Sequence, residues 1–299
     1  MTFDALIVGG SFAGLSAAMQ LARARRPVCV VDAGSPRNRF AAASHGFFAL
    51  DGLAPAEILA QAREKLLAYP SVTFVADRVT TVRTEGEGFT VERAGGGPLR
   101  ARRLVLASGV TDVLPEIPGL AERWGVTVLH CPYCHGFEVA DRRLGVLSTS
   151  PMSVHHAALV ADWGPVTFLL NGPDTLSDED RVLLERRGVT VVDGVVSHLE
   201  GEGQDLSAVV LADGRRVSID ALFAGPRTRP ASPLAEQLGC AFDDGMMGPV
   251  VRTDATKLTT VPGVYAAGDT AIAFQNATFA SADGVLAGVA VHRSLIFDL

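Results

Sequence analysis

Residues 5–14 read ALIVGGSFAG, and residues 28–32 read VCVVD. The first stretch joins a continuous apolar run, typical of a buried parallel strand, to a glycine-containing turn and a helix that ends near Ala24. The second stretch is another apolar strand, and it ends in Asp32. A strand, a glycine turn, a helix, a strand and an acid in this order predict a βαβ unit that binds a dinucleotide.

The positions of this turn have separate physical roles. Gly9 allows a tight turn, and Gly14 allows the helix to pack closely on the strand, while a pyrophosphate lies over the helix N-terminus. Ser11 stands where a glycine usually lets the backbone approach the pyrophosphate, so the motif is weakened but not abolished. Asp32, rather than an arginine, favours a ribose without a 2′-phosphate, as in FAD or NAD.

The composition indicates a well-buried, turn-rich α/β protein. The chain has 299 residues, of which 48% are hydrophobic and 31 are glycine, so it is long enough for one large or two ordinary domains. Its formal net charge of -7 argues against a nucleic-acid surface, because phosphate binding usually needs clustered Lys and Arg.

The N-terminal sequence MTFD lacks the charged start and apolar run of a signal peptide. No uncharged apolar run reaches the ~20 residues that a membrane-spanning helix needs. We therefore expect a soluble, cytoplasmic protein without a membrane partner.

Residues 131–136 read CPYCHG, a C-x-x-C-H run that three chemistries use. It fits a redox-active disulfide, a covalent haem attachment site or half of a zinc site. Pro132 suits the first position of a helix, and a thiolate is favoured at a helix N-terminus.

The rest of the chain favours the redox disulfide. Haem of the c type is normally attached outside the cytoplasm, whereas in a reducing cytosol a C-x-x-C pair is more often catalytic than structural. A zinc site lacks a second half, because Cys29 lies in a strand and Cys240 stands alone, and both resemble buried small hydrophobic residues. We expect no metal.

The C-terminal region repeats the strand-and-acid pattern. Residues 261–269, VPGVYAAGD, predict a turn and a buried strand followed by Asp269, and a small-residue helix follows to about Leu295. Such an acid can hydrogen-bond a ribityl chain, while the helix N-terminus can face an anionic flavin ring. The alternative is an ordinary helix with an Asp N-cap.

Four motifs in this order and spacing resemble those of the thioredoxin reductase-like flavoproteins, over essentially the whole chain. They are Gly9 to Gly14, Ala107-Ser108-Gly109, Cys131 to Gly136 and Ala266 to Asp269. The resemblance implies an α/β fold with two Rossmann-like, three-layer ββα domains, the second inserted into the first. The FAD-binding domain would comprise residues 1–114 and 245–299, and the NAD(P)H-binding-like insert residues 115–244.

The same resemblance implies the site residues, with FAD as cofactor. Cys131, Cys134 and His135 would be catalytic. The residues expected to contact FAD are Gly9, Ser11, Phe12, Ala13, Gly14, Asp32, Ala33, Arg39, His45, Ser108, Gly109, Gly268, Asp269, Gln275, Asn276 and Ala277. For His135, His45 and His130 a purely structural role is an open alternative, because most histidines are not catalytic. A homodimer is expected from the family alone.

Two departures from thioredoxin reductases change the expected activity. The NADPH-binding turn has become Ser148-Thr149-Ser150-Pro151-Met152-Ser153, without glycine, and residues 171–173 provide no cation for a 2′-phosphate. His135 follows the second cysteine where thioredoxin reductases have Asp, which is similar to dithiol oxidases of the gliotoxin-forming type.

We therefore expect an FAD-dependent thiol-disulfide oxidoreductase that oxidises a dithiol without NADPH and passes the electrons to O2 or another acceptor. The substrate, a dithiol or disulfide, would be a small molecule or a thioredoxin-like protein. The alternatives are an NAD(P)H-dependent thioredoxin reductase and a non-enzymatic flavin and thiol redox sensor.

Overall fold

A computed structural model describes residues 2–297 of the chain. The helices are α1 (Phe12–Arg23), α2 (Pro55–Leu67), α3 (Pro132–His135), α4 (Ser153–Val160), α5 (Asp178–Arg186), α6 (Leu234–Gln237) and α7 (Ala277–Phe297). The strands are β1 (Thr2–Val8), β2 (Val28–Asp32), β3 (Val72–Ala76), β4 (Val79–Glu85), β5 (Gly88–Arg93), β6 (Leu99–Leu106), β7 (Val110–Val113), β8 (Val128–Leu129), β9 (Leu144–Leu147), β10 (Val166–Leu169), β11 (Thr190–Val192), β12 (Val196–Glu200), β13 (Ala208–Leu211), β14 (Arg216–Ser218), β15 (Ala221–Ala224), β16 (Arg227–Pro230), β17 (Phe242–Asp244), β18 (Pro249–Val251) and β19 (Val264–Ala266). Short 3₁₀ turns cover Arg37–Phe40, Ala121–Arg123, Phe137–Val139 and Gly268–Thr270.

The chain divides into two compact units. The first unit comprises the chain up to Arg39, Pro55–Asp112 and the chain from Thr228 onward, and the second comprises Phe40–Ala54 and Val113–Arg227. These bounds differ from the expected domain limits at three places, residues 40–54, 113–114 and 228–244. Residues 228–244 pack with the first unit, because Leu234, Ala235 and Cys240 join its core, and the loop 40–54 packs with the second.

The first unit is built on a seven-stranded sheet in the order β3-β2-β1-β6-β5-β4, with β19 also paired to β6. Strands β3, β2, β1, β6 and β19 are parallel, whereas β4, β5 and β6 pair antiparallel. The central strand β1 is nearly continuous apolar sequence, as expected for a strand covered on both faces. The carboxyl ends of β1, β2, β6 and β19 therefore lie at the same edge of the sheet.

Helices α1 and α7 cover one face of this sheet and contact each other closely. A Cβ atom on Gly284 would lie 2.1 Å from the carbonyl oxygen of Ala13, and one on Gly288 would lie 2.6 Å from that of Ala17. The absence of side chains at these two positions lets the helix backbones approach, so the start of α1 is fixed by α7 as well as by β1.

The second unit has its own core around a parallel five-stranded sheet in the order β11-β10-β9-β15-β8. A separate antiparallel sheet, β12-β13-β14, belongs to the same unit. The unit keeps the strand, helix, strand order β9-α4-β10 that the sequence predicts. The predicted α/β class with parallel sheets is confirmed. Over residues 2–297, no helix combines the length and apolar composition that crossing a membrane requires.

Candidate functional site

In the glycine turn after β1, the backbone lies close to the segment after β6 and to the first turn of α1. Gly9 has φ +107°, and a Cβ atom there would lie 2.3 Å from the carbonyl oxygen of Ala107, which follows β6. A Cβ atom on Gly14 would lie 1.8 Å from the Gly9 carbonyl oxygen. Both positions therefore require glycine. Ser11 is the N-cap of α1 and makes no side-chain capping hydrogen bond within the described chain, and a helix N-terminus favours an anion.

Asp32 closes this turn from the neighbouring strand β2. Its Oδ1 accepts a hydrogen bond from the Gly10 N–H at 3.0 Å. Beside it lies a cavity of about 260 Å³. The cavity is lined by Asp32, Ala33, Gly34, Arg63, Phe74, Ala76, Asp77 and Arg78. An acid and a cavity at the end of the second strand of a βαβ unit fit the adenosine end of a dinucleotide.

Arg63 lines this cavity and provides a hydrogen-bond donor. Its guanidinium carbon lies 4.5 Å from the centroid of the Phe74 ring. Its Nε is buried and has no hydrogen-bond partner in the described part of the chain. A buried donor without a partner costs free energy, so the cavity suits a ligand that carries acceptor atoms, such as an adenosine.

The turns after β6 and β19 lie at the same sheet edge as the glycine turn. Gly109 has φ +70°, and its carbonyl oxygen accepts a hydrogen bond from the Thr270 hydroxyl at 3.2 Å. Gly268 has φ +75°, and a Cβ atom there would lie 2.7 Å from the Ala13 Cβ. Ser108, Gly109 and Gly268 are thus brought next to the first turn of α1, as a shared ligand would require.

Arg37 joins two acids at this edge. Its Nη2 lies 2.5 Å from Asp112 Oδ1, and its Nη1 lies 3.0 Å from Asp269 Oδ2 and 2.5 Å from Gln275 Oε1. Burial raises the pKa of Asp269, and Arg37 opposes that increase. Burial acts to lower the pKa of Arg37, but Asp112 and Asp269 hold it above its ordinary value. The arginine therefore compensates the buried carboxylate charge and fixes its orientation.

A buried ion pair supports the same turn from α7. Lys257 Nζ lies 2.5 Å from Asp283 Oδ1, and Asp283 Oδ2 accepts a hydrogen bond from the Gly268 N–H at 2.9 Å. At the start of α7, the Asn276 side chain accepts the Thr278 N–H at 2.7 Å, so the helix begins at Ala277 with a capped first turn.

In the second unit, the cysteine pair lies at the start of helix α3. Cys131 is the N-cap in extended conformation, Pro132 is the first helical residue, and the Cys134 N–H donates to the Cys131 carbonyl at 3.2 Å. The two sulfur atoms are 2.8 Å apart. The proline fixes φ for the helix start, and the single helical turn brings both sulfurs to one place.

His135, the last residue of α3, lies among charged neighbours of the same unit. Burial lowers the pKa of His135, Glu138 opposes this effect, and His45 adds to it. His45 belongs to the loop 40–54, and its Nε2 lies 3.3 Å from Glu138 Oε1. An imidazole with a lowered pKa is neutral near pH 7, the form that accepts a proton from a thiol.

His130 precedes the cysteine pair in the sequence and His156 follows it, and the two rings lie 6.5 Å apart, centroid to centroid. The His156 ring is hydrogen-bonded to the backbone of His130 and packs edge-on against Phe223, with centroids 5.9 Å apart. Burial lowers the pKa of His156 to about 4, so this ring is neutral at pH 7. Its neighbour His155 is exposed, so the two do not share a face. Within residues 2–297, no three His, Cys, Asp or Glu side chains are grouped to hold a metal ion.

Comparison with known proteins agrees with this architecture. Residues 3–284 match the family described as pyridine nucleotide-disulphide oxidoreductase. The chain belongs to this family. It is 33% identical to thioredoxin reductase tcpT of Claviceps purpurea, over 99% of this chain and 95% of the relative. The structure of an oxidoreductase from Agrobacterium tumefaciens is 47% identical with a TM-score of 0.95 over all of both chains, and that of HlmI is 41% identical with a TM-score of 0.92 over 99% of this chain and 93% of the other.

The resemblance to the thioredoxin reductase-like flavoproteins that the motifs predict is therefore confirmed, together with its gliotoxin oxidase-like branch. The protein is an enzyme that acts on thiols and disulfides, and FAD is its cofactor. The first unit fits FAD: the glycine turn, the adenosine-sized cavity and the Asp269 turn all lie at one sheet edge.

In the second unit, the turn between β9 and α4 forms hydrogen bonds with side chains of the protein itself. The backbone N–H groups of Thr149 and Ser150, in the turn between β9 and α4, both donate to the hydroxyl of Ser153, at 3.0 and 3.2 Å. Ser153 is buried, with 4% of its surface exposed. The Thr149 hydroxyl donates to the Gly225 carbonyl at 2.7 Å. In family members that bind a dinucleotide here, N–H groups of this turn face the pyrophosphate.

The residue after β10 that follows Leu170 also makes a hydrogen bond within the protein. Asn171 has φ +52°, and its side-chain oxygen accepts the Val196 N–H at 2.9 Å. This residue stands where a cation would be needed for a 2′-phosphate. The amide instead ties β10 to β12 of the same unit.

Two residues of the expected FAD site have described contacts that the sequence did not predict. Arg39 donates to the Pro36 carbonyl at 3.0 Å, whereas Arg37 makes the contacts with Asp269 and Gln275. His45 belongs to the second unit, beside Glu138. Sequence reasoning missed Arg37, Asp112, the Lys257–Asp283 pair and Glu138. The one available signal was the pair of acids at neighbouring strand ends, which demands a buried cation.

Proposed function

We propose that this enzyme is an FAD-dependent dithiol oxidase that works without NADPH. The first unit would bind FAD, and the second would carry the cysteine pair on a nucleotide-binding frame that has lost its ligand. The observation that carries this proposal is the turn between β9 and α4. Its N–H groups are satisfied by the buried Ser153 hydroxyl, so a pyrophosphate would have to displace an internal hydrogen-bond acceptor.

The cysteine pair would carry out the exchange with substrate. A substrate thiolate attacks the Cys131 sulfur of the Cys131–Cys134 disulfide, and Cys134 leaves as a thiolate. The second substrate thiol then displaces Cys131, so the substrate becomes a disulfide and the cysteines become thiols. His135 accepts the proton of the attacking thiol and returns it to a leaving thiolate. The assignment of Cys131 to substrate and Cys134 to the flavin side rests on the family resemblance.

FAD would be the acceptor of the electrons that the substrate gives to the cysteine pair. FAD, when bound, takes the two electrons and two protons of the cysteine pair and delivers them to O2, giving hydrogen peroxide, or to another two-electron acceptor. A small-molecule dithiol is the substrate class we favour, with a thioredoxin-like protein as the alternative. Around the cysteines, Tyr133 and Phe137 are 70% and 84% exposed, and an apolar surface of this kind suits an apolar small molecule.

A second candidate is an NAD(P)H-dependent thioredoxin reductase. It is favoured by the names of the relatives tcpT, sirT and aclD, each called a thioredoxin reductase. The electron path within the protein would be the same with the direction reversed, and NADPH would need a binding mode other than the glycine turn.

An anaerobic experiment separates these functions. The purified yellow protein is mixed with NADPH and, separately, with dithiothreitol, and flavin absorbance is followed. We expect bleaching by the dithiol only, with peroxide formed when air is readmitted. Rapid bleaching by NADPH would refute the oxidase, and no bleaching by either reagent would favour a redox sensor.

Cys134→Ser tests the role of the cysteine pair. It should remove bleaching by dithiothreitol, with a loss of at least about 10³-fold, since without the second sulfur no enzyme disulfide forms. The matched control is Cys240→Ala, which removes a buried thiol from the first unit and should bleach at the wild-type rate. Equal rates for Cys134→Ser and wild type would contradict the proposed electron path.

The oxidase is proposed to act as a homodimer in the cytoplasm. Helix α7 carries exposed Phe279, Leu286, Val289 and Ile296 on one face, an apolar stripe that a second copy would cover. Cys29 and Cys240 are buried outside any disulfide, as is usual in a reducing compartment. Cell fractionation tests the location, and the dimer is tested below.

A further inference from the structure

His45 connects a loop to the segment that follows the cysteine helix. Its Nε2 lies 3.3 Å from Glu138 Oε1, and its Nδ1 lies 3.6 Å from Asp51 Oδ2. Asp51 also accepts the Gly46 N–H at 2.8 Å, so the loop is closed on itself. The His45 side chain is 25% exposed. A carboxylate therefore lies near each ring nitrogen, and the imidazole stands between two acids.

Glu138 is near His135 in the sequence and acts on it electrostatically. It stands three residues after His135, in the 3₁₀ turn Phe137–Val139 that follows α3, a spacing that brings side chains to one face. The charged groups acting on His135 are Glu138 from the same segment and His45 from the loop. Burial and His45 lower the pKa of His135, whereas Glu138 raises it.

We propose that Glu138 is a positioning residue that stabilises the imidazolium formed when His135 takes a thiol proton, and that His45 holds the Glu138 carboxylate in place. This inference rests on the proposed function of His135. The step is a proton transfer only: the substrate S–H bond breaks, an N–H bond forms on His135, and no electron moves. The transfer converts a neutral thiol and a neutral imidazole into a thiolate and an imidazolium. The Glu138 carboxylate compensates the positive charge of the imidazolium in the half-buried site.

The arrangement makes His135 a stronger base than its burial alone allows. Without Glu138, the partly buried imidazole would resist protonation, and the thiol would be deprotonated more slowly. Because 41% of the Glu138 side chain is exposed, salt should weaken the effect. His45 fixes the carboxylate but itself lowers the pKa of His135, whereas Glu138 raises it, so the direct effects of the two residues on His135 are opposite.

The test reads the ionisation of His135 directly. Protein containing isotope-labelled histidine is titrated by NMR, with His135→Gln used to assign the signal. In Glu138→Gln the pKa of His135 should fall by about half a unit to one unit, and in His45→Gln it should rise. Glu138→Asp should restore part of the wild-type value. Glu202→Gln, an exposed acid of the same unit, is the matched control and should change nothing.

The catalytic readout is the pH profile of anaerobic bleaching by dithiothreitol. In Glu138→Gln its acid limb should move to lower pH, and its plateau should fall about threefold to tenfold, because a weaker base takes the thiol proton less readily. An unchanged His135 titration in Glu138→Gln, or a lower rate with an unshifted pH profile, would overturn the proposal. Should the wild-type protein not be bleached by dithiol at all, the proposed function fails, while the NMR titration still decides the interaction. If Glu138→Gln does not fold, the His45→Gln and Glu138→Asp titrations decide it.

Discussion

At the scale of single residues, the FAD unit depends on which of two neighbouring arginines is turned inward. Arg37 and Arg39 are separated by one residue, and the sequence offers no periodic pattern to choose between them. Arg37 is the one that bridges Asp112 and Asp269. The choice is made by the 3₁₀ turn that contains both residues and by the two carboxylates, which come from segments 75 and 232 residues away.

Arg37→Met should therefore destabilise the protein and weaken FAD binding. Removing one partner of a largely buried ion cluster leaves the other charges uncompensated, at a cost of about 3 kcal/mol. Urea unfolding and the fraction of FAD retained after gel filtration measure the two effects. Arg100→Met, which removes an exposed ion pair with Glu85, should cost less than about 1 kcal/mol and keep FAD. Equal behaviour of the two variants would show that the Arg37 cluster is not needed.

At the scale of elements, helix α7 carries apolar side chains both on its buried face and on its exposed face. One face carries buried Gly284, Ala287, Gly288 and Val291 and packs on α1. The opposite face carries exposed apolar side chains. A helix that is apolar on all sides is normally buried on all sides, so the exposed face calls for a further partner, whereas the glycine face is explained by α1.

Gly284→Ala tests the contact between the two helices. The added Cβ would lie 2.1 Å from the Ala13 carbonyl oxygen, so α1 and its glycine turn must shift. We expect a loss of about 1–3 kcal/mol in the free energy of unfolding and a lower affinity for FAD, although alanine favours helices over glycine. Ser281→Ala, on the same helix, should leave both unchanged. Increased stability in Gly284→Ala would contradict this description of the contact.

At the scale of the whole molecule, the described chain has two units with separate cores, and every expected FAD residue except His45 belongs to the first. The second unit contains the cysteine pair, His135 and Glu138. Chemistry and cofactor binding are thus assigned to different compact units of one chain. The exposed face of α7 belongs to the first unit.

Leu286→Lys should convert the proposed dimer to a monomer. Leu286 is 53% exposed at the middle of the apolar face, and a buried lysine without a partner is costly at an interface. Analytical ultracentrifugation should give twice the chain mass for the wild type and the mass of one chain for the variant. The control Val182→Lys changes an exposed apolar residue of α5 in the other unit and should stay dimeric. A monomeric wild type would refute the homodimer.

The sequence by itself determined the βαβ units, the glycine positions and the helix start at Pro132, because these depend on local backbone geometry and on hydrophobic periodicity within about thirty residues. It also showed that residues 148–153 contain no glycine, which is the observation behind the prediction that no NADPH binds there. Only the tertiary structure decided which charges meet. Arg37 with Asp112 and Asp269, Lys257 with Asp283 and His45 with Glu138 are joined across 26 to 232 residues of sequence. The Ser153 hydroxyl makes local contacts in the turn at residues 148–153. The sequence analysis missed these contacts, because the absence of glycine does not show which group accepts the hydrogen bonds of the turn. Such pairings depend on side-chain direction and burial, which a linear pattern does not carry.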